Sequence, residues 1–211
     1  MERNHDTKAA AVWSTWLRNC DFYFFSSDAD NATISAFNMT ELPGRHYLWH
    51  KARNAMMYIH DSHLSKCDFV YKADDDTFAV VENLKLLISR HSPEEAVYLG
   101  HWYGSPEKEG GYMSGGPGYA YSRETLRLFV AAHRDRHSNQ SACKKNSRED
   151  EDYSFGLCFQ RLGVTFVDTR DDEGRQTFLP QKPTMFLTPK SSNDGFLRTQ
   201  LTRHRIRSVG Q

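Results

Sequence analysis

Apolar positions along this chain recur at two spacings that take turns, and their alternation predicts strands and helices in succession. Phe22-Tyr23-Phe24-Phe25 is a short apolar run closed by Ser26-Ser27-Asp28, the pattern of a buried strand and the loop leaving it. Polar residues with Pro43 and Gly44 make 28–44 read as loop. Over 47–63, Leu48, Ala52, Ala55, Met56 and Ile59 recur three and four apart and form one apolar helical face, with His50, Lys51, Arg53 and Asn54 mostly off it. Residues 67–73 are short and rich in β-formers, and they run directly into Asp74, Asp75 and Asp76. Helical spacing resumes over 80–89 through Val81, Leu84, Leu87 and Ile88.

The second half repeats the scheme. Residues 97–100 read as a strand, 110–121 as a glycine-rich stretch with a strand-like end, and 123–133 as a helix with Leu126, Phe129 and Val130 inward. A polar loop runs to Ser147. Glu149-Asp150-Glu151-Asp152 then opens a helix whose apolar face is Phe155, Leu157, Cys158, Phe159 and Leu162, and 164–167 reads as a further strand. Strands alternating with helices predict one α/β domain over 1–187. The basic tail over 188–211 is expected to be poorly ordered.

Composition narrows the choice of partner. Lys plus Arg and Asp plus Glu both total 27 in 211 residues, so overall charge gives no reason to expect a nucleic acid or a membrane surface. A mean hydropathy of −0.71 leaves no surplus of apolar sequence, and no segment approaches the roughly 20 apolar residues of a membrane helix. The first residues lack the apolar run of a signal peptide. Asn31, Asn38 and Asn139 head N-glycosylation sequons, which matter only in a secretory compartment. The four cysteines show no zinc-ligand spacing. Cys143 and Cys158 enclose a short loop and are the favoured disulfide in an oxidising compartment, with four reduced thiols an equal alternative.

Three adjacent aspartates at a strand end repel one another unless a cation or basic neighbour answers them. Carboxylate oxygens suit Mg²⁺ or Mn²⁺, with open positions left for the phosphate oxygens of a substrate. Strand alternation puts Asp74 and Asp76 on one side, as metal ligands, and Asp75 on the other. A solvated acidic turn ahead of the helix is the competing reading. Gly115, Gly116 and Gly118 remove Cβ atoms where backbone passes close to another group, either a sugar or a tight structural turn. Trp102 and Tyr103 suit either packing or stacking on an acceptor sugar.

Several motifs in register point further. Tyr71-Lys72-Ala73-Asp74-Asp75-Asp76-Thr77-Phe78 with Val81-Glu82-Asn83-Leu84, then Gly111-Tyr112-Met113-Ser114-Gly115-Gly116-Pro117-Gly118-Tyr119, and Glu151-Asp152 before Gly156-Leu157-Cys158, resemble the core 1 β1,3-galactosyltransferases. These share a glycosyltransferase family with the Fringe enzymes. The likeness covers most of 8–187.

It implies a GT-A-like (Rossmann-like) nucleotide-sugar transferase domain, with UDP-galactose as donor and Mn²⁺ as cofactor, Mg²⁺ being the alternative. The implied reaction is inverting β1,3 transfer to N-acetylgalactosamine on Ser or Thr of a glycoprotein, and the implied place is the Golgi, as a type II membrane protein. It also implies Asp152 as general base with Glu151 in reserve, Asp74 and Asp76 on the metal, and Asp74, Asp75, Gly115 and Gly116 near the donor. Trp49-His50-Lys51 matches a family stretch near the donor, which places Lys51 by the diphosphate. A homodimer is compatible with the resemblance. By the same comparison the chain starts near the family's first helix, without the stem and membrane anchor, and lacks the family's features after Phe178, including its metal-binding histidine. It is therefore expected to be a domain truncated at both ends. A Fringe-like transferase and a catalytically silent relative are the alternatives.

Overall fold

The computed structural model describes residues 2–40, 44–104, 111–135, 143 and 150–182. The predicted tail and most of the polar loop before Ser147 lie outside these residues. Five helices are described: α1 (Ala10–Thr15), entered from a π-helical turn at His5–Ala9, α2 (Leu48–His63), α3 (Val81–Ile88), α4 (Arg123–Arg134) and α5 (Glu151–Arg161). The strands are β1 (Phe25–Ser27), β2 (Ala36–Asn38), β3 (Phe69–Lys72), β4 (Val97–Gly100), β5 (Trp102–Tyr103), β6 (Tyr112–Met113), β7 (Tyr119–Ser122) and β8 (Thr165–Val167).

The central sheet has the order β3-β7-β4-β8. It is mixed: β7 runs antiparallel to both neighbours, and β8 runs parallel to β4. Every residue of β4 and β7 is buried, as befits the inner strands of a sheet covered on both faces. On one face Tyr98, Tyr119 and Tyr121 meet the aromatic core of α2, α4 and α5, where Trp49, Phe129, Phe155 and Phe159 pack. Their rings mostly meet edge-on or tilted, at centroid distances such as 4.5 Å for Trp49 and Phe155. On the other face Val97, Leu99 and Ala120 are covered by Leu84, Leu87 and Ile88 of α3. The helix over 123–134 is started by Ser122, whose side chain accepts from Thr125 N.

Three local expectations change. The first strand begins only at Phe25. Phe22 is 54% exposed and joins a surface cluster of rings with Phe24 and His63. The predicted 28–44 loop holds a 3₁₀ turn at Ala32–Ile34 and then β2, which pairs in parallel with β1. Asn31 caps that turn by accepting from Thr33 N, whereas Asn38 is exposed at the end of β2; Asn139 lies outside the described residues. In α2 the buried set is Trp49, Lys51, Met56 and Ile59. The helix has two covered sides, because Trp49 faces α4 and α5 while Lys51 faces β1, whose Ser26 hydroxyl donates to Lys51 O.

Cys143 and Cys158 form a disulfide with Cα atoms 4.5 Å apart, tying Cys143 to the buried face of α5. Cys20 and Cys67 are free, and burial pushes the Cys67 thiol up to about 11, away from thiolate chemistry. Closing a loop of 15 residues restricts the unfolded chain, so Cys143→Ser is expected to cost about 2–4 kcal/mol of unfolding free energy. Urea denaturation of the variant and of the reduced wild type should give the same loss.

Candidate active site

Register builds the site. In the antiparallel β3–β7 pair Lys72 stands opposite Tyr119, so the turn leaving β3 and the loop entering β7 lie side by side. The end of β4 arrives at the same place, since Gly100 also pairs with Tyr119. Asp74, Asp75 and Asp76 follow Lys72, and residues 115–118 precede Tyr119. Thr77 locks the two segments together: its hydroxyl donates to Gly116 O at 2.8 Å and accepts from Asp74 N at 3.2 Å. Tyr71 adds a hydroxyl donation to Pro117 O at 2.6 Å.

The acidic residues occupy a hydrogen-bonded turn, closed by Thr77 N donating to Asp74 O at 3.2 Å. Strand alternation therefore does not govern them. Asp74 turns back to Lys72, whose Nζ is 2.7 Å from its Oδ1. Asp75 and Asp76 face one cation together, with Lys8 Nζ 2.7 Å from Asp76 and 3.8 Å from Asp75. Asn4 completes the shell by donating to Asp75 Oδ2 at 2.6 Å. The predicted same-side pairing of Asp74 and Asp76 is thus replaced by Asp75 with Asp76.

Lys72 also reaches across to α5, with Nζ 3.0 Å from Glu151 Oε2. Glu151 is buried, and its other oxygen accepts from the Tyr119 hydroxyl. Burial pushes the Glu151 carboxyl above its ordinary value of 4.5, against the pull of Lys72 and Tyr119. For Lys72 burial acts downward, but Glu151 and Asp74 together outweigh it and hold the ammonium charged well above the usual lysine range.

The neighbouring Asp152 points the other way, toward the glycine loop. Its Oδ2 accepts from Gly115 N at 2.7 Å, and its Oδ1 from Tyr153 N at 2.8 Å. A Cβ on Gly115 would stand 3.2 Å from that carboxylate, and one on Gly116 would stand 3.1 Å from Pro180 O. At Gly118 the backbone has φ +75° and a Cβ would meet Tyr71 Oη at 2.5 Å, so the turn admits only glycine.

The structure thus brings Asp74, Asp75, Asp76, Glu151, Asp152, Gly115 and Gly116 into one neighbourhood. Lys51 is placed differently: it is buried, its Nζ lies 3.6 Å from Asp28 Oδ2, and its ion pair is with that residue. Trp102 packs edge-on against Phe166 and under Gly111, which is packing, while Tyr103 is 38% exposed. Sequence reasoning missed Asn4, Lys8, Lys72 and Thr77. Lys72 and Thr77 flank the aspartates and were open to view; nothing local marks Asn4 or Lys8.

The family model described as "Fringe-like" matches residues 1–171. The chain belongs to the Fringe-like family. Its mixed α/β structure is that of a GT-A-like glycosyltransferase domain. This Fringe-like chain is 36% identical over 189 residues to glycoprotein-N-acetylgalactosamine 3-beta-galactosyltransferase 1 of Xenopus laevis, covering 90% of the chain and 51% of the relative. It is 34% identical over 109 residues to a beta-1,3-glucosyltransferase of Mus musculus, covering 51% and 20%, and 26% identical over 178 residues to chondroitin sulfate synthase 3 of Mus musculus, covering 75% and 20%. The chain spans about half the length, or less, of the curated relatives it matches. Among the described residues no helix is long and apolar enough to cross a membrane.

Glu151 provides a test of the buried network. Because its folded pKa is raised, the native state holds the proton more tightly than the unfolded state, and the stability it contributes falls as pH climbs above 4.5. Wild type should therefore lose ground to Glu151→Gln across that rise, followed as Tm against pH. Lys72→Met leaves Glu151 buried without its cation and should cost about 3 kcal/mol by denaturant unfolding at neutral pH.

Proposed function

We propose that this chain carries the donor-binding and acid–base core of a UDP-galactose-dependent β1,3-galactosyltransferase that acts on N-acetylgalactosamine O-linked to Ser or Thr of glycoproteins in the Golgi lumen. The observation that carries this reading is the 36% identity over 90% of the chain to a glycoprotein-N-acetylgalactosamine 3-beta-galactosyltransferase. The convergence of the acidic turn, the glycine loop and Asp152 supports it.

The acidic turn suits a hard divalent ion such as Mn²⁺ or Mg²⁺. Among the described residues, the carboxylates of Asp74, Asp75, Asp76 and Glu151 pair only with the ammonium groups of Lys8 and Lys72. That leaves it short of positive charge. Among the described residues no three acidic, histidine or cysteine side chains converge as metal ligands. A divalent ion would thus rest on one or two of Asp74, Asp75 and Asp76 and on substrate oxygens, the usual arrangement for Mg²⁺-type sites. Such an ion supplies neutralisation of the charge that develops on a departing diphosphate.

The protein's own groups do the remaining work. Asp152 is oriented by two backbone N–H donors and takes the proton from the acceptor hydroxyl as that oxygen attacks the galactose C1, on the face opposite the leaving UDP. Attack from that face inverts the carbon. Glu151 is held by Lys72 and Tyr119 and acts as a positioning residue beneath the loop. The second reading, transfer of glucose in place of galactose, draws on the 34% identity to a beta-1,3-glucosyltransferase.

Calorimetric titration with UDP, with and without Mn²⁺, tests the donor site. Binding that requires Mn²⁺ is expected, as is its loss in Asp76→Asn; a folded wild-type chain that binds no UDP would overturn the reading. Asp152→Asn should retain UDP binding while losing about 10²–10⁴-fold in transfer to a GalNAc-bearing peptide. Comparing UDP-galactose with UDP-glucose in the same assay separates the two donors.

A further inference from the structure

Among the described lysines near this site, the one that meets the acidic turn from outside is Lys8. Its backbone is fixed on several sides. Ala9 packs with Ile34 and Ala36, Val12 and Trp16 pack with Ala79 and Val81, and the His5 ring is buried with Nε2 2.8 Å from Ser27 Oγ. Trp16 further donates to Thr77 O at 3.0 Å, at the end of the acidic turn itself. The Lys8 side chain by contrast is 47% exposed, and its flexible four-carbon stem carries a compact charge. A fixed root and a free end allow the ammonium to change partners without moving the helix.

Its present partners are two carboxylates. Nζ stands 2.7 Å from Asp76 and 3.8 Å from Asp75, the position of a cation shared between them. A divalent ion bound by either aspartate would repel that ammonium, since two cations a few ångströms apart near a surface cost several kcal/mol at an effective dielectric of about 20. Lys8 must then leave, and its rooted stem keeps it beside the turn. The negative charge that arrives with a metal–nucleotide at that place is the diphosphate.

We infer that Lys8 is a mobile counter-cation of the acidic turn: it holds Asp75 and Asp76 before donor binds and passes to the phosphate oxygens of a nucleoside diphosphate once the metal is in place. Lys51, by contrast, is buried beside Asp28, whereas Lys8 is half exposed at the turn itself. The inference rests on the donor-binding function proposed above.

The test is calorimetry on the full chain and on Lys8→Met and Lys8→Arg, titrated with Mn²⁺ alone, with UDP at saturating Mn²⁺, and with uridine. Circular dichroism checks that each variant is folded. Losing a half-exposed ion pair is worth up to roughly fivefold after solvent screening. Lys8→Met should accordingly bind Mn²⁺ alone about two- to fivefold more tightly and UDP·Mn²⁺ about two- to fivefold more weakly, with uridine unchanged and Lys8→Arg near wild type. Wild-type UDP binding that Lys8→Met leaves unaltered, or Mn²⁺ affinity that it leaves unaltered, overturns the inference alone. A folded wild-type chain that binds no UDP removes the proposed function and this inference with it.

Discussion

One ammonium group ties the site to the fold. Lys72 ends β3, touches Asp74 at 2.7 Å and Glu151 at 3.0 Å, and lies 5.5 Å over the Tyr119 ring. It therefore joins the acidic turn, the first turn of α5 and the start of β7. Each of these elements presents one part of the site, and their separation is set through this cation. A neutral side chain in its place would leave a buried carboxylate uncompensated, which is the costly way to break such a pair.

The sheet register gives that cation its reach. Because β3 and β7 run antiparallel with Lys72 opposite Tyr119, two loops far apart in sequence emerge from the same edge of the sheet. An all-parallel arrangement would have sent the glycine loop to the opposite end. The mixed sheet thus concentrates chemistry where a doubly wound parallel sheet would do so at its strand ends. Aromatic packing of Trp49, Phe129, Phe155 and Phe159 beneath the sheet holds α5 in place, and with it Glu151 and Asp152.

Adjacent residues take different parts within this frame. Glu151 and Asp152 are neighbours in the first turn of α5, where acidic residues suit the helix end. Helical rotation sends the first into the buried pair with Lys72 and the second to Gly115 N. The aspartates divide similarly: Asp74 belongs to the internal network, and Asp75 and Asp76 face the N-terminal segment. Two cations hold the turn together while leaving it negative, a state suited to receiving a cationic partner.

Much of this was legible in the chain's own pattern. The helices over 48–63, 81–88, 123–134 and 151–161 follow from three- and four-residue apolar spacing, and the strands over 69–72, 97–100 and 165–167 from short β-rich runs. The acidic turn at a strand end, the glycine loop and the acidic opening of α5 are all adjacent-residue features. The pairings were not legible. Lys8 meets Asp76 across 68 positions, and Lys72 meets Glu151 across 79. Nor did periodicity show that Lys51 is buried, because its helix is covered on two sides and a single apolar stripe describes only one. Local spacing determines which elements form, since it acts within a turn or a strand. Which charges meet depends on register and packing between elements, and those are settled only when the whole chain has folded.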